Sequence, residues 1–219
     1  MSSNAPHPNK LAAIAPAIVL AIVVAIVTLT PRGPLFAQDL QAGAEAARRG
    51  DYATALAQWR PLAESGDAAA QFNVGMMHAR GDGVPEDFAE AARWFRMASE
   101  QGQTDAQARL GGMYAHGIGL EKDYLEAAKW LTLAAEQHHA ESQYELGALY
   151  ADGNGVVQDY TTAYFWFSLA ALQRLFPAMD AQARLGASMV PEQIGMTEQM
   201  VQEWLEETRA AQSQKADDS

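Results

Sequence analysis

The chain contains no cysteine. That excludes disulfides, thiol nucleophiles and thiolate metal sites. It does not fix the compartment, because an exported protein can do without disulfides once its helical core is large enough. Positive charge is also scarce, with 15 Lys and Arg against 27 Asp and Glu. Residues 1–37 hold Lys10 and Arg32 and no acid, so the rest of the chain carries 13 basic and 27 acidic groups, net −14. A body this acidic repels phosphate backbones, and nucleic acid is not expected as a partner. The signatures S-x-x-K, G-x-S-x-G and H-E-x-x-H do not occur, so the common serine and zinc hydrolase patterns are missing. With 49% apolar and 9% aromatic residues over 219 positions, the chain is too hydrophobic to be disordered throughout and long enough for one domain or one short solenoid.

Leu11 to Leu29 is a 19-residue run without charge, LAAIAPAIVLAIVVAIVTL. As a helix it would extend about 28 Å, near the hydrocarbon thickness of a bilayer. Lys10 precedes it, and a polar, proline-containing stretch follows, ending Leu35-Phe36-Ala37. This is the layout of an export signal. Ala37 suits a cleavage point, whereas Leu35 is large for the site two places earlier. Residues 1–37 are therefore expected to be either a cleaved signal peptide or a retained signal-anchor. Either fate places the remainder in the periplasm, released or membrane-anchored by residues 11–29.

What the remainder has in abundance is repetition. Gly75, Gly111 and Gly147 are spaced by 36 residues, as are Trp94, Trp130 and Trp166, and Asp87, Asp123 and Asp159. A period in this range marks stacked helical hairpins. Three full units are expected at 70–105, 106–141 and 142–175. Each opens with apolar or small residues at offsets 0, 4, 7 and 8, as in Ala106, Leu110, Met113 and Tyr114, which is one buried helix face. Glycine inside that helix costs on the order of 1 kcal/mol against alanine. Its recurrence predicts a neighbouring helix so close that a methyl group would clash.

Each first helix runs into a paired-glycine loop, at Gly81 and Gly83, Gly117 and Gly119, and Gly153 and Gly155. The first glycine suits a left-handed helix terminus. No strand is read before these glycines and none of the loops has the pattern of the lysine-bearing phosphate loop, so a phosphate cradle is not expected. Asp87, Asp123 and Asp159 then cap a second helix, which carries the indoles as core residues. A partial unit at 39–69, with Asp51, Ala55 and Trp59, precedes the full ones. Capping helices are expected at 176–212 and a disordered tail at 213–219. His78 takes the place of a core tyrosine and is expected to be a satisfied buried ring. His116 ends a helix. His138 and His139 are adjacent in a turn and project apart, so no metal or cofactor is expected.

The string A-x-x-x-L-G-x-M-Y-x-x-G-x-G, followed by D-(aromatic)-x-x-A-x-x-W-x-x-x-A-A, resembles Sel-one-like repeats, a branch of the tetratricopeptide-like superfamily. Ala106 through Ala135 fits almost throughout; His78 and His138 depart from it. The resemblance implies an all-α fold, a right-handed superhelical solenoid of antiparallel helix hairpins, here preceded by an N-terminal hydrophobic helix. It also implies adaptor or assembly functions. One exported branch is cysteine-rich and associated with β-lactam binding or hydrolysis, and its disulfides cannot carry over to a chain without cysteine.

A constant frame with varied polar positions suits recognition. On the first helices the variable positions are Asn73, Arg109 and Glu145, then Arg80, His116 and Asp152. In stacked hairpins these should line one concave wall, although a merely solvated face would read the same way. The expected function is a non-catalytic scaffold binding protein or peptide partners at the cell envelope. Alternatives are an envelope hydrolase or cell-wall-binding protein, and a holder of exported peptides.

Overall fold

The computed structural model describes residues 34–217. The hydrophobic run at residues 11–29, with the question of its cleavage, lies outside them. The described residues form ten helices and no strand: α1 (Pro34–Arg48), α2 (Tyr52–Glu64), α3 (Ala68–Arg80), α4 (Phe88–Glu100), α5 (Thr104–His116), α6 (Tyr124–Glu136), α7 (Ala140–Asp152), α8 (Tyr160–Leu172), α9 (Phe176–Gly186) and α10 (Pro191–Asp217). Among these helices none is long and apolar enough to cross a membrane.

Capping sets the hairpins. Asp51, Asp87, Asp123 and Asp159 each accept a backbone N–H from the first turn of α2, α4, α6 and α8, satisfying amides that have no partner within the helix. Gly81, Gly117 and Gly153 close α3, α5 and α7 in the left-handed conformation, with φ of 70°, 70° and 71°. The first helices start two residues before the expected unit boundaries. Asp67, Gln103 and His139 are their N-caps, and their side chains take the N–H of Ala70, Ala106 and Ser142. The residues read as unit openings are thus third in their helices.

The interior glycines make the expected close approach. A Cβ on Gly75 would lie 2.8 Å from Phe95, on Gly111 2.7 Å from Leu131, and on Gly147 2.7 Å from Phe167. The residue that presses on each glycine is the one after the tryptophan. Trp94, Trp130 and Trp166 are themselves buried and help join successive hairpins. The first hairpin has the same close approach, made here by the tryptophan itself: Gly43 of α1 faces Trp59 of α2, and Trp59 donates to the Leu40 carbonyl at 3.1 Å. Its turn is four residues shorter than the later ones (Arg49–Asp51 against Gly81–Asp87), which takes Gly43 out of the 36-residue phase.

Neighbouring hairpins are tied by buried amides. Gln71, Gln107 and Gln143 are at most 3% exposed. Their Nε2 atoms donate back to Ala63, Ser99 and Ala135 carbonyls at 3.1, 3.2 and 3.0 Å. Their Oε1 atoms accept from Gln101, Gln137 and Gln173 at 2.8, 2.7 and 2.8 Å. Each rung therefore links the last turn of one hairpin to both helices of the next, and both ends of all three buried amides are paired.

The C-terminal helices depart from the hairpin pattern. α10 packs chiefly on α8 rather than back along α9, which leaves a cleft of about 630 Å³ bordered by Leu172, Met179, Gln182 and Val201. Trp204 of α10 meets Phe165 and also the ring of His138, with centroids 4.6 Å apart in the latter case. His138 has φ +66° where Gly66 and Gly102 have +94° and +83°, so a contact with α10 accompanies a left-handed histidine. α10 runs to Asp217.

Candidate interaction groove

The varied positions of the first helices fall into two neighbouring groups. Asn73 and Arg80 of α3 and Arg109 of α5 line one groove of about 420 Å³, together with Ala47, Arg48, Tyr52, Trp59, Phe72, Met76, Met77 and Asp82. Phe72 packs tilted on Phe95 at 5.7 Å, so the aromatic floor is continuous with the core. Arg80 and Arg109 are exposed and lie within ion-pair distance of no carboxylate among the described residues.

Glu145 of α7 forms the second group with Arg109 and His116 of α5. A Cβ on Gly112 would lie 3.7 Å from Glu145 Oε2, so the carboxylate lies over Gly112, where the other units have Met76 and Ala148. That oxygen is buried and has no hydrogen-bond partner. Burial pushes the Glu145 carboxyl above the ordinary carboxylate range; His116 and Arg109 pull it down and Glu141 pushes it up. Asp152, the last residue of α7, is exposed and belongs to neither group.

Two histidines correct the sequence reading. His78 is half-buried, but its Nδ1 is buried without a partner, so the ring is not satisfied. Its equivalent one unit on, Tyr114, accepts from Arg96. Arg60, the counterpart of Arg96, instead pairs with Glu64 at 3.1 Å, and an imidazole is shorter than a phenol. His139 has a capping role: its Nδ1 accepts the Ser142 N–H at 3.2 Å, while Nε2 lies 3.9 Å from Asp105 and 3.7 Å from Glu141. Among the described residues no three His, Asp or Glu side chains gather as a metal site would require.

Arg48 of α1 was missed in the sequence because it lies just before the short turn, outside the repeat phase. The only signal for it was local: a basic residue in the last turn of a helix, a place where cations are ordinarily explained by the helix dipole.

No curated protein matches the sequence. Among solved structures, a Sel1 repeat protein from Oxalobacter formigenes is 31% identical over 65% of this chain and 59% of its own, with a TM-score of 0.62. The protein c5321, a protective antigen present in uropathogenic Escherichia coli strains and displaying an SLR fold, is 27% identical over 82% of this chain and 42% of its own, with a TM-score of 0.66. The chain thus spans less than two thirds of the length of either. The family described as Sel1 repeat matches residues 68–103, 104–139 and 140–174, the intervals that begin at Ala68, Thr104 and Ala140. With three such units stacked through glycine and indole contacts, the chain is a Sel1-like repeat protein.

Proposed function

We propose that this protein is a non-catalytic scaffold that holds a protein or peptide partner on the wall formed by α3, α5 and α7, at the cell envelope. Sel1 repeats serve protein–protein interaction in general. The observation that carries the finer reading is the meeting of Asn73, Arg80 and Arg109 in one groove, beside the partly buried Glu145. Polar groups of both signs on a rigid frame, over an aromatic floor, suit an extended chain better than a flat surface. The envelope location rests on the charge-free run at residues 11–29 and its flanks. No arrangement among the described residues favours the hydrolase alternative.

The test is capture from envelope fractions by the immobilised full chain in detergent. Saturable capture should be lost when Arg109→Glu and Glu145→Lys are combined, with helical circular dichroism retained. Unchanged capture by that double variant would remove the groove from the account. Sequencing the amino terminus of the mature protein tests export: a start at Gln38 means cleavage, and a start at Met1 or Ser2 means the segment is retained.

A further inference from the structure

The groove bordered by α1, α3 and α5 has a charge opposite to that of the molecule around it. Three arginines from three different helices, Arg48, Arg80 and Arg109, line one volume of about 420 Å³. The chain they belong to carries a net charge of −12. Arg48 spends its Nε on the Ala44 carbonyl at 3.3 Å, and no carboxylate among the described residues lies within ion-pair distance of any of the three. Asp82 also lines the groove and neutralises part of this charge. Guanidinium groups present forked donors that match carboxylates two bonds at a time. Beneath them lie Tyr52, Trp59 and Phe72, apolar surface suited to the stems of side chains between the charges. One unit further along the wall the sign reverses at Glu145, whose buried oxygen lacks a donor.

We propose that this groove receives an acidic segment of the partner protein, with Asp or Glu side chains on Arg48, Arg80 and Arg109. The partner's basic or donor-bearing residues then point toward Glu145. The wall is therefore directional: an acidic-to-basic peptide lies with its acidic end over α1 and α3. This rests on the reading of the wall as a peptide-binding surface and adds the chemistry and orientation of the occupant.

The test uses the full chain in detergent and three fluorescent probes by anisotropy: a decapeptide alternating Glu and Leu, one alternating Lys and Leu, and a single-stranded oligonucleotide of similar charge to the first. Binding of the Glu-Leu peptide should be saturable and weaken with added salt. Its dissociation constant should rise about tenfold in each of Arg80→Gln and Arg109→Gln, the loss expected of one charge-assisted bond. Arg48→Gln should act in the same direction. Arg184→Gln, in an exposed ion pair of α9 outside the groove, should leave that affinity within about twofold. Equal binding of the acidic and basic peptides, or indifference to all three arginine substitutions, overturns the assignment. Tighter binding of the oligonucleotide also overturns it, in favour of a polyanion site. If the peptides fail while envelope capture still disappears with Arg109→Glu and Glu145→Lys, the acidic occupant is wrong and the binding wall stands. If capture is also indifferent, both readings fall together.

Discussion

A methyl group on Gly111 would come within 2.7 Å of Leu131 Cγ, and Leu131 is 1% exposed, with no room to retreat. Gly111→Ala gains about 1 kcal/mol of helix propensity and loses about 1–3 kcal/mol to overpacking. The net expectation is a destabilisation of about 1 kcal/mol, read as a lower urea midpoint at unchanged slope. In a Leu131→Ala background the same glycine replacement should cost less, because the side-chain contact is gone and only the backbone N of residue 131, at 3.1 Å, stays close. A stabilised single variant would mean that the recurrent glycine has no packing cause.

Gln107 makes both bonds of a buried rung, to the Ser99 carbonyl and from Gln137. Gln107→Leu leaves two polar groups facing an apolar side chain and should cost about 2 kcal/mol or more. Gln137→Ala, at the exposed end of the same rung, should cost less than half as much. Denaturant unfolding of the two variants ranks them, and the reverse order would place the stabilising contact elsewhere.

Glu145 gives stability a dependence on acidity. Burial raises its carboxyl pKa in the folded chain, so the folded state holds its proton to higher pH than the unfolded state does. Its contribution therefore falls as pH rises from the ordinary carboxylate value through the raised one. At neutral pH the charged form is partly buried with one oxygen unpaired. Glu145→Gln should stabilise the chain by about 1 kcal/mol at pH 7. It should give no gain at about pH 3.5, where the carboxyl is protonated in both states. A gain that persists in acid would trace to packing instead of charge.

His138 sets backbone preference against a ring contact. Its φ of +66° favours glycine, while its ring stands on Trp204. His138→Gly relieves the first and loses the second, each worth about 1 kcal/mol, and should change the melting temperature little. His138→Ala keeps the unfavourable backbone and loses the ring, and should be the least stable of the three. Alanine ranking above glycine would show that the left-handed turn is not maintained in solution.

Much of the fold was legible in the sequence because its causes are local and recur. Asp87, Asp123 and Asp159 cap helices whatever surrounds them, and Gly75, Gly111 and Gly147 announce a close neighbour by their cost. Gly43 was not legible, because a turn four residues shorter shifts it out of phase with the other three. Gln71, Gln107 and Gln143 recur every 36 residues, as do Gln101, Gln137 and Gln173, but a glutamine gives no sign in sequence that it is buried or which carbonyl it will meet. His139 hides a capping role behind a residue type usually suspected of chemistry, and its equivalents Asp67 and Gln103 share no side-chain class with it. Of the groove, Asn73, Arg80 and Arg109 follow from the variable face of the first helix, while Arg48 depends on how the first turn folds.

The glutamine rungs bear on how such an array can grow. Each buried amide reaches back into the preceding hairpin and is met by a residue of its own hairpin. Duplicating or excising a whole repeat preserves both attachments, and so does a change in the turn between a hairpin's two helices, since Gln71 still reaches Ala63 across the shorter first hairpin. The reach of the wall can thus grow or shrink by whole ribs without unpairing a buried amide, while shorter insertions are confined to the turns.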